Sequence, residues 1–429
     1  MRQFITHTSN LYQNCSFLIG PVTARKAIIN MIAVFTTGLF CLAYPYAASA
    51  RSLYELTAVS EGEVVVKGFN DIEEFVDQLG NDGLRQLFPS YTDTSAALIN
   101  LDIRGLAAIT SYQDNSTVLN FQVPCSGTNI NFTGATRDDS QDMLLDFLKG
   151  SGEEDVTGIY GCFVSDTPVD PVAGNPNSLV ASMASDAFRV GMVTDAGRNN
   201  LATLGIGYEQ SYADGFNTDI VSFIPINYVI TFPNSEKPPY ALIFDMPIRY
   251  INLEGADIID GSIGIGVRWP VLNHWSLTPM FRFGGVGSIN TGSFQGALLG
   301  SLTSKYDFYF DDLRLSINNM IAYSSTVGIS SGDFNVNYDV QNGIFRNGIS
   351  LEGSLNFKLF DQPTSWEFSF TDTRISGDSW YNNWWDEVNV SIGTRRRATR
   401  MVWQDLRFGA GYRFAKNYSS WQLTMNYRF

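Results

Sequence analysis

The strongest candidate for catalysis in this sequence is His274, in the stretch VLNHWSLT, with Ser276 two residues further on. Histidine activates serine nucleophiles in hydrolases, and the two side chains share one face of an extended strand. The stretch supplies no carboxylate to orient the imidazole, and the other histidine, His7, lies close to the N-terminus. We therefore expect His274 to occupy a turn, and we predict no enzyme and no catalytic residue. A catalytic site built from serine and lysine, or from carboxylates, is a distant alternative.

The stretch ARKAIINMIAVFTTGLFCLAYPYAASA near the N-terminus carries Arg25 and Lys26 at its start, continues as an apolar run from Ala27, and ends at Ala48-Ser49-Ala50. Positive residues, an apolar run and a small-residue cleavage site are the three parts of a secretory signal. We expect residues 1–50 to be removed on export. An uncleaved membrane anchor is the alternative, since the run is almost long enough to span a bilayer.

Cys125 and Cys162 are the cysteines that remain after this removal. An even pair in an exported chain predicts a disulfide. The alternative, a metal site, lacks a nearby histidine to complete the ligand set.

Two other motifs have the residue types of a binding site but not its spacing. The acidic clusters RDDSQD and GEEDV carry the oxygen ligands that Ca²⁺ prefers, without the order of an EF-hand loop. The glycines of GSIGIGVRW alternate along a strand and do not open a helix, as a phosphate loop requires. We predict no cofactor and no metal.

Residues 51–175 carry most of the net charge of −15 and read as a small, soluble α+β domain. NDIEEFVDQLGNDGLRQLFP and TRDDSQDMLLDFLKG have helical spacing, whereas AALINLDIRGLAAITSY and STVLNFQVP resemble short strands. Residues 176–199 form a linker and a slim helix of Ala and Ser, with Leu179, Met183 and Val190 on one stripe. This helix has no evident place on the surface of the domain.

Residues 200–429 repeat one pattern, an alternation of apolar and polar residues over about twelve segments. Charged residues are only 17% of the chain and aromatics reach 14%, and the segments are long enough to cross a bilayer. A soluble sandwich has shorter strands and turns its charges outward, whereas lipid reverses that polarity. We predict an antiparallel transmembrane β-barrel of about 12 strands. Its last strand places one apolar set outward: Trp421, Leu423, Met425, Tyr427 and Phe429.

The opposite face of the strands carries charged residues, which the barrel turns toward its lumen. They form either a mildly anion-preferring pore or a network of ion pairs, which only satisfies buried charge or also clamps a helix, and we favour the network. The predicted lumen-facing residues are Glu209, Asp245, Arg249, Arg268, Arg282, Lys305, Asp307, Arg314, Glu352, Lys358, Glu367, Glu387, Arg395, Asp405, Arg407, Arg413 and Arg428.

A signal, an N-terminal domain, a small-residue helix and a barrel whose last strand ends in Phe429 resemble the autotransporter translocators of Gram-negative outer membranes. The domain of residues 51–175 is short and shows no repeat, so the solitary autotransporter-like barrels are the better match. The resemblance implies that the helix runs through the lumen and that the preceding segment is exposed at the cell surface. It also implies that the barrel-assembly machinery recognises the last strand.

These expectations set the partners and the candidate functions. We expect contact with outer-membrane lipid, a monomer, and no nucleic acid, because the chain is acidic. The basic run TRRRATR at 394–400 suits lipopolysaccharide phosphates, and equally a solvated turn. The predicted function is the anchoring or display of the N-terminal domain as a non-enzymatic interaction protein. A small-solute channel plugged by its N-terminal segment is the alternative, and an outer-membrane hydrolase is a distant one.

Overall fold

The structure, a computed structural model, describes most of the chain beyond the expected signal. The predicted signal, Arg395, Asp405 and Phe429 lie outside the described residues. The described ranges are 51–148, 153–192, 200–232, 240–291, 293–331, 334–336, 338–359, 362–394 and 406–428.

The N-terminal region forms a six-stranded antiparallel sheet. Its strands are β1 (Tyr54–Ser60), β2 (Glu63–Phe69), β3 (Ala97–Ile103), β4 (Leu106–Tyr112), β5 (Val118–Val123) and β6 (Thr128–Thr133). They lie in the order β2-β1-β3-β4-β5-β6. Strands β1 and β4 alternate buried residues with more exposed ones, because one face packs on helices and the other meets solvent.

Short helices cover the inner face of this sheet. They are α1 (Ile72–Asp77), α2 (Asn81–Leu87), α3 (Arg137–Asp146) and α4 (Glu153–Asp166). Asp71 caps α1 by accepting from the backbone N–H groups of Glu73 and Glu74, and Thr136 forms a capping box with Asp139 at α3. The sequence suggests one helix over NDIEEFVDQLGNDGLRQLFP, but the structure has two, α1 and α2. The backbone is extended at Gly80, which separates them.

The predicted disulfide is present between Cys125, which follows β5, and Cys162, in α4. The two Cα atoms are 6.1 Å apart, and the bridge joins residues separated by 37 positions. It fastens α4 to one end of the sheet.

The chain then enters α5 (Leu179–Met192) and continues into a closed antiparallel barrel. The last strand, Tyr418–Arg428, pairs with the first, Asn200–Ala213, from Tyr418↔Ala213 to Arg428↔Thr203, which closes the sheet. The predicted barrel of about 12 strands is confirmed. Its strands are β7 (Asn200–Ala213), β8 (Phe216–Phe232), β9 (Tyr240–Leu253), β10 (Ala256–Leu272), β11 (Trp275–Ser288), β12 (Ser293–Phe310), β13 (Leu313–Val327), β16 (Gln341–Leu359), β17 (Gln362–Gly377), β18 (Trp384–Thr394), β19 (Leu406–Ala415) and β20 (Tyr418–Arg428). A small hairpin of β14 (Ile329–Ser331) and β15 (Phe334–Val336) lies between β13 and β16.

The two faces of the barrel reverse the polarity of a soluble protein. On the outer face, Ile263 is 62% exposed and Trp269 is 55% exposed. On the inner face, Asp245 and Arg282 are 1% and 0% exposed. Apolar side chains outside and charged side chains inside are the arrangement of a barrel that spans a membrane.

Candidate functional site: the helix-filled lumen and its covered mouth

Helix α5 lies inside the barrel, where its apolar side chains are shielded from solvent. Val180, Met183, Ala184 and Phe188 are each at most 1% exposed. Six of the 14 residues of the helix are Ala, Ser or Gly, so it is slim enough to fit a lumen that an equally long helix of bulky residues would overfill.

Glycines on both surfaces let the helix approach the wall. A side chain at Gly284 of β11 would lie 2.7 Å from the Met183 sulfur. One at Gly348 of β16 would lie 3.0 Å from the Phe188 ring. On the helix itself, a Cβ at Gly191 would come 2.6 Å from the Thr303 side chain. Larger residues at these positions would displace the helix.

A buried carboxylate fixes the helix to strands β9 and β11. Asp245 accepts from Arg189 of the helix at 3.2 Å and from Arg282 at 2.8 Å. The Asn227 amide donates to the same carboxylate at 2.8 Å. Asp186, one turn before Arg189, pairs with that guanidinium at 3.1 Å. The side chains of Asp245 and Arg282 are fully shielded from solvent, whereas Asp186 and Arg189 are partly exposed. Two cations thus balance two carboxylates, as buried charge requires.

A second carboxylate, Glu387 of β18, organises the opposite side of the lumen. It pairs with Arg346 and, at 2.7 Å, with the Arg413 Nε. Arg346 also donates to the Ser185 hydroxyl at 2.9 Å, and its guanidinium lies 5.1 Å from the centre of the Phe188 ring. The helix is therefore held from both sides by arginines that wall carboxylates position.

Wall arginines also bind backbone carbonyl groups near both ends of the helix. Arg268 donates to the Val190 carbonyl at 3.0 Å, in the last turn, where helix carbonyls lack partners within the helix. Arg249 donates to the Ser178 carbonyl at 3.4 Å and pairs with Asp260. Cations near the carbonyl-rich end also complement the helix dipole.

A separate network lines the wall away from the helix. Arg407 reaches Glu352 at 3.4 Å and Glu367 at 3.6 Å, and Arg314 pairs with Glu352. Lys305 pairs with its strand neighbour Asp307 at 2.9 Å.

The structure places most of the predicted lumen-facing residues in these inward clusters. Glu209 joins them through Arg413 at 3.2 Å, and Arg428 is half-buried at the end of β20. Lys358 is exposed, because the pairing of β16 with β17 is irregular between Leu355 and Lys358. Sequence reasoning missed four inward charged residues: Asp186, Arg189, Asp260 and Arg346.

The N-terminal region covers the barrel mouth at which α5 begins. The Ile72 backbone N–H donates to the Asn290 carbonyl at 3.0 Å, and the Asn290 amide donates to Asp71 at 2.9 Å. Asn290 belongs to the turn between β11 and β12. On another side of the mouth, the Tyr381 backbone N–H donates to the Val164 carbonyl at 3.0 Å.

A buried cluster joins the N-terminal sheet, the linker and the loop before β16. Asp170 of the linker accepts from the Tyr338 hydroxyl at 3.0 Å and pairs with Arg104 at 3.7 Å. The Tyr338 ring stacks on Tyr160 of α4 with 4.9 Å between centroids. Burial raises the pKa of the Asp170 carboxyl above its usual 3.8, and the nearby Arg104 charge opposes that rise. Burial also raises the pKa of Tyr54, near the same cluster, to about 12.

The candidate catalytic residue His274 lies in the exposed turn between β10 and β11, with its ring 5.1 Å from that of Tyr309. Ser276 pairs in register with Lys305 of β12. Within the described ranges, His, Cys, Asp and Glu side chains form no group of three that could hold a metal ion. In the same part of the chain, no helix is long and apolar enough to cross a membrane.

Of the last strand, Leu423 and Met425 are 48% and 42% exposed on the outer face. Trp421 is half-buried on the same face, where its ring packs on Tyr208 with 5.3 Å between centroids. Tyr427, also half-buried, pairs in register with Leu204 of β7. The four described side chains of the predicted assembly signal, Trp421, Leu423, Met425 and Tyr427, therefore line the outer side of the seam where the barrel closes.

The fold and the interior together define a transmembrane β-barrel protein with a helix in its lumen. No protein-family model matches the sequence, and no curated protein matches it. Among solved structures, the chain is similar to the β-domain of the Bordetella autotransporter BrkA, at 11% identity and a TM-score of 0.41, over 54% of this chain and 100% of that one.

The translocator domain of the autotransporter NalP from Neisseria meningitidis is similar at 14% identity and a TM-score of 0.40, over 58% of this chain and 96% of that one. An outer membrane channel from Pseudomonas putida F1 is similar at 12% identity and a TM-score of 0.37, over 56% of this chain and 97% of that one. Likeness at this level does not extend to function.

Proposed function

We propose that this protein is an outer-membrane anchor that holds its N-terminal domain over one barrel mouth and presents it at the cell surface, without enzymatic activity. The observation that carries the proposal is the position of α5. The helix directly follows the N-terminal region, and side chains from both sides of the wall fix it within the lumen. A lumenal tether of this kind holds the preceding domain at the mouth.

The direction of the helix supports an arrangement in which the N-terminal domain lies at one mouth of the barrel and the last strand ends at the other mouth. Its first turn lies near Arg249, close to the Glu254–Gly255 turn, and its last turn lies near Arg268, toward the opposite mouth. Strand β20 begins beside the turn at Asn417 and runs the same way as the helix. The sequence resemblance implies that the domain side faces outward.

Protease treatment of intact cells tests the display. We expect fragments of residues 51–175 to be released while a soluble periplasmic protein stays intact. The matched sample is permeabilised cells, in which both are cut. Complete protection of residues 51–175 in intact cells, with cleavage only after permeabilisation, would reject surface display.

A small-solute channel is the second candidate, because the wall carries cationic side chains beyond those that bind the helix, on Lys305, Arg314 and Arg407. Conductance across a planar bilayer tests whether the filled barrel conducts. Silence from the intact protein that becomes current after deletion of residues 176–193 would show that the helix plugs the lumen. A large, steady current from the intact protein would favour the channel.

A further inference from the structure

Strand β2 is an edge of the N-terminal sheet and is open to solvent along most of its length. In the sheet order it pairs only with β1 among the described strands. Val64 and Val66, both on the outer face, are 63% and 61% exposed. An open edge with exposed valines is a template for the addition of another strand.

The turn before β2 fixes which backbone groups point to the open side. Glu61 and Gly62 both have positive φ, at 49° and 81°, and Ser60 pairs with Glu63. This is a two-residue hairpin turn, in which the closing pair is hydrogen-bonded. Because hydrogen-bonded pairs alternate along an antiparallel ladder, the N–H and C=O groups of Val64 and Val66 point away from β1.

Two copies of β2 placed antiparallel to each other have complementary charges. Around Val65 it reads Glu-Val-Val-Val-Lys, from Glu63 to Lys67. An antiparallel pair of two such strands, centred on Val65, places each Glu63 opposite a Lys67. The same register places Val64 opposite Val66, so the outward backbone groups meet in hydrogen-bonded pairs.

We propose that β2 pairs with β2 of a second copy of this chain, in the antiparallel register centred on Val65. A lysine on an edge strand normally discourages pairing, since it brings a charge to the contact. Here each lysine meets a glutamate, so the charges favour this register instead. Two copies would share one continuous sheet. This pairing goes beyond the display proposal, because it does not depend on which side of the membrane the N-terminal region occupies. It proposes a dimer where the sequence analysis expects a monomer.

Exchange of the charges tests the register. Glu63→Lys places lysine against Lys67 of the other copy, and Lys67→Glu places two glutamates together. We expect each variant alone to associate about tenfold or more weakly than the unsubstituted protein. A mixture of the two variants restores opposite charges at both positions and should associate as the unsubstituted protein does. Light scattering after size exclusion, on residues 51–429 in detergent, measures this.

Cysteine pairs give a second readout that does not depend on affinity. Residues at the centre of the register face their own copies, so Val65→Cys should form an intermolecular disulfide on its own. Val64→Cys should cross-link weakly alone and strongly when mixed with Val66→Cys. A monomeric unsubstituted protein, association unchanged by Glu63→Lys, or failure of the mixed variants to associate would overturn the proposal.

Discussion

At the scale of single residues, the contact between the N-terminal region and the barrel depends on a buried pair. Arg104 and Asp170 are 3% and 1% exposed, and the Tyr338 hydroxyl and the backbone N–H groups of Val172 and Ala173 donate hydrogen bonds to this carboxylate. The pKa of Asp170 is raised, so the folded protein binds its proton more tightly than the unfolded chain does. The stability contributed by this group is fully present below pH 3.8 and falls as the pH rises through the raised pKa.

Removal of the Arg104 charge should enlarge this effect. Arg104→Gln leaves the Asp170 carboxylate buried without its cation, so we expect a loss of about 3 kcal/mol at pH 7. The loss should shrink as the pH falls, because a protonated Asp170 does not need the cation. Urea unfolding of the N-terminal region at pH 7 and pH 4 measures both.

Arg85→Gln is the matched control, since Arg85 forms an exposed ion pair with Asp93. An exposed pair contributes little, and its removal should leave stability nearly unchanged. Equal losses for the two variants, or a loss for Arg104→Gln that grows in acid, would contradict the role of the buried pair.

At the scale of elements, the fit of α5 against the wall depends on glycines rather than on a wide lumen. Gly284→Val places two methyl groups against Met183 and Leu179, so we expect a loss of about 1–3 kcal/mol in barrel stability or a displaced helix. Gly300→Val is the control, because a Cβ at Gly300 meets nothing within 4 Å. Resistance of the folded barrel to heat in detergent compares them. Equal stability would show that the helix does not press on this part of the wall.

The disulfide between Cys125 and Cys162 should stabilise the N-terminal region and not the barrel. A bridge across 37 positions lowers the entropy of the unfolded chain by an amount worth about 4 kcal/mol. Replacement of both cysteines by serine should lower the unfolding midpoint of the N-terminal region alone. A matching fall in the heat resistance of the barrel would mean that the two regions unfold as one unit.

The barrel strands were predictable because most of them alternate apolar and polar residues, and the position of one apolar residue then fixes the face of its neighbours. Arg346 was missed because the start of its strand can be placed at several positions in the sequence. Once β16 is defined, Arg346 and Glu352 are an even number of residues apart, and their side chains share the inner face. The sequence did not indicate that Arg189 and Asp186 face the lumen wall, because their contacts depend on α5 lying inside the barrel. A helix pattern shows which residues share a face, but not which surface that face meets.

The N-terminal region was less predictable for a related reason. Strands β1, β2 and β6 are six or seven residues long, and β2 is exposed over most of its length, so it lacks a clear alternation. Tertiary pairing decides such segments more than local propensity does.

At the scale of the whole molecule, the reversed polarity of the barrel is the central claim. Exposed apolar side chains cover the outer face, and buried ion pairs fill the inner one. In water this arrangement would expose a large apolar surface and aggregate, whereas lipid covers it. The anchor, the lumenal tether and the covered mouth all depend on that surface lying in a bilayer.

A nitroxide scan along β10 in lipid vesicles tests this claim most directly. Labels placed singly from Ile259 to Val267 report collisions with oxygen, which concentrates in lipid, and with a water-soluble paramagnetic complex. We predict a period of two in the oxygen signal, with maxima at Ile259, Ile263, Ile265 and Val267 and minima at Asp260, Ser262, Gly264 and Gly266. Maxima at the intervening residues, or free access of the water-soluble complex to the four predicted positions, would contradict a barrel whose outer face meets lipid.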